Sequence, residues 1–188
     1  MADRGSGSSL RIAAILLSVQ TLLVAFADPA MALTLTSSAF KQGDKIPSKY
    51  TCEGDDVSPP LAFAGVPEST KSLALLIDDP DAPDPKAPKL VWVHWLVYNL
   101  PPDSKGLAED ASRTGLPKGA VTGLSDWKEA SYHGPCPPIG RHRYFHKLYA
   151  LDTTLPPKDL TKAELEAAMQ GHVLAQAELM ATYQKGDP

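Results

Sequence analysis

Short apolar runs separated by proline- and glycine-rich stretches fill the middle of this chain, and their spacing predicts strands. Ser72 to Ile77 is almost continuously apolar and leads directly into Asp78 and Asp79, the pattern of a strand covered on both faces. From Val91 to Leu100, alternation puts Trp92, His94, Leu96 and Tyr98 on one side and Val91, Val93, Trp95 and Val97 on the other. Both sides are largely apolar, so both are expected to be covered. Arg141 to Leu151 reads as a last strand, with His142 and Tyr144 on one face at its start. Leu33 to Phe40 reads as an edge strand, and Leu61 to Phe63 as a short one ended near Gly65. A capping box, Thr161-Lys162-Ala163-Glu164, opens a region where Leu165, Met169, His172, Leu179 and Tyr183 recur near helical spacing. Gly171 is expected to divide that region into two helices.

The connections sharpen the fold class. Pro80, Pro83, Pro85 and Pro88 exclude a helix or central strand between Asp78 and Lys89 and make that loop stiff. Residues 101–140 show little periodicity, and long loops of this kind are commonly functional. Strands joined by loops rather than by crossover helices predict antiparallel sheets packed as a sandwich. The expected class is mainly β (α+β), closed by a C-terminal helix.

The 188 residues suit one domain, and the 43% hydrophobic and 21% charged content suits a globular one. A net charge of −4 argues against a general nucleic-acid binder, which needs a basic face. The beginning of the chain is set apart. Arg4 and Arg11 precede an apolar stretch from Ile12 to Ala27, followed by Ala30-Met31-Ala32, a small-x-small site. This is the pattern of a secretory signal peptide over residues 1–32, leaving a domain of residues 33–188 exported to the periplasm or beyond. The stretch is short for the alternative, a membrane anchor across about 30 Å of hydrocarbon. Export bears on Cys52 and Cys136: in an oxidising compartment the two could pair, and buried free thiols are the other reading.

Candidate chemistry collects at strand ends. Asp79 closes one predicted strand, His94 lies in the next, and His142 and Tyr144 begin the last, just after the stiff stretch Gly134-Pro135-Cys136-Pro137-Pro138. Imidazole N–H groups, a phenol and the Gly134 amide are donors suited to an anion, and bonds to a charged ligand are the stronger kind. Proline-rich walls favour a preformed pocket. Asp79 needs a partner, either a histidine or a ligand ammonium, if it is not to repel an anion. Asp81 and Asp126 are assigned to loop structure, Arg141 and Arg143 to salt bridges, His146 to a structural role, and His133 and His172 to surface or packing. Trp92, Trp95 and Trp127 are assigned to core or pocket wall.

These segments resemble the phosphatidylethanolamine-binding protein family, in its bacterial Raf-kinase-inhibitor-like branch. The resemblance rests on Asp79-Pro80-Asp81-Ala82-Pro83, on Val93-His94-Trp95-Leu96-Val97-Tyr98-Asn99, on Gly134-Pro135 with His142-Arg143-Tyr144, and on Ser58-Pro59-Pro60-Leu61 and Ser125-Asp126-Trp127. It implies a sandwich with the C-terminal helix near a small pocket for phosphate-like or carboxylate-like anions. Matched position by position, that pocket would use Asp79, Ala82, Pro83, His94, Gly134, Pro135, His142 and Tyr144. Its ligand would be anionic or zwitterionic, such as a phosphoethanolamine headgroup, and no cofactor is implied. Many eukaryotic members place an aromatic residue between the positions of Pro83 and His94; the stretch Asp84 to Lys89 has none. A protein partner, as for a kinase- or protease-inhibitor relative, and a homodimer both stay open. An enzyme with a metal held by Asp79, His94 and His142 is the remaining rival. A serine hydrolase has less support, because the chain has no Gly-x-Ser-x-Gly elbow.

Overall fold

The computed structural model describes Met1 and residues 32–187. The expected signal peptide, but for those first and last residues, lies outside the described residues.

Two sheets form the expected sandwich. The smaller contains β1 (Thr34–Thr36), β2 (Leu61–Ala64) and β5 (Gly106–Leu107), in the order β1-β2-β5. The larger is built from β3 (Ser72–Asp79), β4 (Trp92–Leu100), β6 (Val121–Thr122), β7 (His142–Leu151) and β8 (Val173–Tyr183). Its order is β6-β4-β3-β7-β8, and every neighbouring pair is antiparallel. Among the described residues there are also two short α-helices, α1 (Ala111–Thr114) and α2 (Lys162–Met169), and one 3-10 turn at Ser48–Tyr50.

β3 is central, and all eight of its residues are buried, as its unbroken apolar run predicts. Leu73, Leu75 and Ile77 point between the sheets, where they meet Leu35, Leu61, Phe63, Trp95, Val97 and Leu148. Ala74 and Leu76 point the other way, into a second cluster with Leu96, Tyr98 and Leu151 that Leu165 and Met169 of α2 cover.

Two expectations are corrected here. The closing segment is not a second helix. The capping box does start α2, with Glu164 N donating to Thr161 Oγ1 and Thr161 N to Glu164 Oε2. The chain then turns at Gly171, whose φ of +80° favours glycine, and runs out as β8. Leu179 and Tyr183 lie four apart, a spacing that fits a helix face and a strand face equally. The available edge of β7 decides the matter, because β8 pairs with it from Leu151↔Val173 to His142↔Tyr183. The position of the helix is the second correction: α2 covers the face of the large sheet away from the sandwich core, and none of its residues lines the pocket described below.

The regular alternation expected for β4 is also broken. Ile77 pairs with Trp95, but the next residue, Asp78, pairs with Val93, so His94 is an extra residue in a β-bulge. Trp95 and Val97 therefore face the sandwich core while Leu96 and Tyr98 face α2. The bulge puts His94 on the same side as Trp95, where an unbroken strand would have turned it toward α2.

Candidate functional site

At one end of the sandwich core, a cavity of about 300 Å³ opens between the ends of β3, β4 and β7. β3 brings Asp79 to it, the β4 bulge brings His94, and β7 brings His142 and Tyr144. Residues from three strands far apart in sequence thus share one hollow. Ala82 and Pro83 form one wall, Cys136, Pro137 and Pro138 another, and Trp92 and Trp127 a third.

The hydrogen bonds divide these side chains into fixed and free. Asp79 Oδ2 lies 2.7 Å from His142 Nδ1, and Asp79 Oδ1 accepts the Asp81 amide at 2.8 Å. His142 Nε2 lies 3.0 Å from the Ile139 carbonyl oxygen. Both ring nitrogens of His142 are committed to protein oxygens, so this residue organises the site and holds no spare N–H for a ligand. The same pair answers the repulsion problem, since the Asp79 charge is set against His142. Burial raises the Asp79 carboxyl above the ordinary range, and the His142 bond opposes that rise.

His94 is buried, and burial lowers it to about 4, so the ring is neutral near pH 7. Its Nδ1 lies 2.6 Å from the His133 carbonyl oxygen, which can only accept, so Nδ1 carries the proton. Nε2 is then a lone-pair acceptor. The sequence reading made His94 a donor; the structure makes it an acceptor. Tyr144 is the complement. It is 1% exposed, and its hydroxyl has no hydrogen-bond partner in the protein. Burial holds its pKa well above the usual value, so it remains an O–H donor.

The Gly134 amide was expected to be a ligand donor. It donates instead to Asp56 Oδ1 at 2.7 Å, and neither Gly134 nor Pro135 lines the cavity. Glycine is required there by crowding: a Cβ would lie 2.3 Å from the Tyr50 carbonyl oxygen. The Pro135 carbonyl accepts the Cys52 amide at 3.1 Å, and Cys52 is bonded to Cys136 in a disulfide with Cα atoms 5.4 Å apart. This cross-link and the Asp56 bond fasten the proline-rich wall to the turn after Tyr50.

Asp81 fastens the opposite wall. Its carboxylate receives the Arg143 amide at 2.9 Å and the guanidinium at 2.9 and 2.7 Å, which holds its pKa below the usual range. Arg141 pairs with Asp187, and Asp126 accepts the Val93 amide at 2.8 Å. His146 is buried, with Nδ1 3.2 Å from the Leu179 carbonyl oxygen, and Tyr183 bonds to Glu53 away from the cavity. An aromatic residue does stand between Pro83 and His94 at the pocket: Trp92, just beyond the proline-rich stretch Asp84 to Lys89. Trp92 meets Trp127 edge to face at 5.2 Å, and Trp127 stacks on His133 at 4.7 Å. Asp56 and the His133 carbonyl are supports that carried no sequence signal of their own.

A metal triad of Asp79, His94 and His142 does not match this arrangement. His142 has no free nitrogen, and among the described residues no cluster of His, Cys, Asp and Glu has metal-holding geometry.

A two-sheet β-sandwich with a small, partly enclosed pocket walled by prolines and tryptophans has the form of a small-ligand site. The family model described as phosphatidylethanolamine-binding protein matches residues 36–184, and the chain belongs to that family. A UPF0098 protein of Methanothermobacter thermautotrophicus is 49% identical over 156 residues, covering 82% of this chain and all of its own length. Among crystal structures, a phosphatidylethanolamine-binding protein homolog from Chlamydia trachomatis has a TM-score of 0.74 at 47% identity, covering 82% of this chain and 98% of its own. E. coli YbcL has the same TM-score at 36% identity, covering 82% and 99%.

Proposed function

We propose that the chain is an exported binding protein whose pocket takes a small phosphorylated or carboxylated group, with a zwitterionic phosphoethanolamine headgroup as the favoured form. The observation that carries this reading is the Tyr144 hydroxyl, a buried donor with no protein partner on the wall of a preformed cavity. A phosphoryl or carboxyl oxygen would accept from Tyr144. His94 Nε2 would accept a hydrogen bond from the same ligand, which favours a singly protonated phosphate or an ammonium group over a bare dianion. The tryptophan wall would face an ammonium group, and rings within about 6 Å of a cation attract it. Family membership supports the ligand class, and the disulfide together with the apolar N-terminal stretch supports export.

Calorimetric titration with phosphate, phosphoethanolamine and acetate tests the reading. Phosphoethanolamine is expected to bind most tightly, and His94→Ala is expected to weaken it. Equal silence of all three ligands would overturn the proposal.

A further inference from the structure

The pocket wall formed by Cys136, Pro137 and Pro138 is held differently from the chain on either side of it. Before it, the Tyr132 hydroxyl donates to the Tyr50 carbonyl, the Gly134 amide donates to Asp56, and the Pro135 carbonyl accepts the Cys52 amide. After it, the Ile139 carbonyl oxygen lies 3.0 Å from His142 Nε2. Between these points Pro137 and Pro138 have no N–H to give, and residues 136–138 make no backbone hydrogen bond to any described residue. Apart from the packing of the buried Pro137, the Cys52–Cys136 disulfide is what holds this wall against the cavity.

The two ends of that disulfide have different surroundings. Cys136 is half-buried and lines the cavity, whereas Cys52 is exposed, as are Glu53, Gly54 and Asp55 after it. A thiol arriving from solvent meets Cys52 first. The turn that carries Cys52 keeps its shape by other means. Thr51 Oγ1 donates to the Ser48 carbonyl at 2.8 Å, and Glu53 accepts from the Tyr183 hydroxyl and from the Gly186 amide. Opening the disulfide therefore frees the wall while its anchor stays in place, so the bond can close again.

We propose that this disulfide is a reversible redox switch on the pocket, opened by an external dithiol, and that the disulfide form is the one that holds ligand. One thiolate of the dithiol attacks the Cys52 sulfur. The Cys52–Cys136 bond breaks, and Cys136 leaves as a thiolate that takes up a proton. The second thiol of the dithiol then attacks the mixed disulfide. Cys52 leaves and is protonated in turn, and the dithiol departs as a disulfide, having passed two electrons and two protons to the protein. The freed wall no longer closes the cavity, and the ligand is released. The coupling runs both ways, since a ligand that prefers the closed wall protects the disulfide. The effect on ligand rests on the binding reading above; the opening of the wall does not.

Treating the full chain with dithiothreitol, without denaturant, tests the switch. Maleimide labelling is expected to find both cysteines as thiols. Hydrogen exchange of the ligand-free reduced chain is expected to quicken about tenfold at the Cys136, Ile139 and Gly140 amides and to stay as slow as before in β3 and β7. Phosphoethanolamine is expected to bind the reduced chain about tenfold more weakly, and reoxidation to restore its affinity. By reciprocity, saturating phosphoethanolamine should lower the midpoint potential of the disulfide by about 30 mV. Cys52→Ser/Cys136→Ser is expected to bind like the reduced chain and to ignore dithiothreitol; if that variant does not fold, the reduction and reoxidation of the parent chain make the same comparison. A disulfide that opens only in urea would overturn the proposal, as would reduction that loosens β3 and β7 together with the wall, or equal affinity of the two forms. If phosphoethanolamine binds neither form, the headgroup reading falls and exchange alone decides: quickening confined to residues 136–140 upholds the switch, and unchanged exchange overturns it.

Discussion

Removing the Tyr144 hydroxyl separates a binding group from a structural one. In Tyr144→Phe no intramolecular hydrogen bond is lost, because this hydroxyl has no protein partner. The unliganded variant is therefore expected to be at least as stable as the parent. Tyr132→Phe is the control. Tyr132 is also buried, but its hydroxyl donates to the Tyr50 carbonyl at 2.8 Å. Losing it leaves that carbonyl unpaired, at a cost of about 1–3 kcal/mol. The order reverses for binding. A hydrogen bond to a charged ligand is worth about 1.5–3 kcal/mol, so Tyr144→Phe should bind phosphoethanolamine about 10- to 150-fold more weakly. Tyr132→Phe should bind it nearly as the parent does. Urea unfolding without ligand gives the first comparison and calorimetric titration the second. If Tyr144→Phe unfolded as early as Tyr132→Phe, its hydroxyl would have a structural role; if its affinity were unchanged, it would not touch the ligand.

Acid should destabilise the domain before most carboxylates titrate. Burial lowers both His94 and His146 to about 4, against about 6.5 in the unfolded chain. The unfolded chain takes up these protons first, so stability is full above pH about 6.5 and is lost as pH falls toward 4, by about 2 kcal/mol per histidine at pH 5. Urea midpoints at pH 7 and pH 5 measure this, with a smaller drop expected for His146→Gln; a flat profile would refute it. The disulfide joins residues separated by 84 positions. Replacing both cysteines by serine should cost about 4–5 kcal/mol in the chain-entropy account. It should also weaken phosphoethanolamine binding, because Cys136 is pocket wall. Unfolding midpoints that match the parent in the presence and absence of reductant would show that the cross-link carries no stability.

The parts legible in the sequence are those fixed by local chemistry. The run from Ser72 requires burial on both faces, and β3 has it. The capping box at Thr161 places the start of α2 because its two bonds are made within four residues. Asp81 and Asp126 read as loop residues rather than ligand residues, and each fastens a loop to a strand end. The unread parts depend on partners distant in sequence. β8 is a strand because β7 offers an edge, which no spacing within residues 173–183 reveals. The Gly134 amide reads as a ligand donor from the stiff turn it opens and from the family motif, yet Tyr50 and Asp56, some 80 residues earlier, determine both its crowding and its bond.

The pocket itself depends on the feature least visible in the sequence. β4 is apolar on both sides, so its pattern carries no information about register, and one extra residue leaves no hydropathy signal. That extra residue is His94. Without the bulge, Trp95 and Val97 could still fill the sandwich core, but His94 would share a face with Leu96 and Tyr98 beneath α2, and the cavity would lose its acceptor. The backbone irregularity therefore does what residue identity alone cannot. It lets one strand supply the core along most of its length and a polar group to the ligand at its end. The Val93 amide, bonded to Asp126, and the His94 ring, bonded to the His133 carbonyl, are both held at this point, so the bulge is braced on either side by the loop that also carries Trp127.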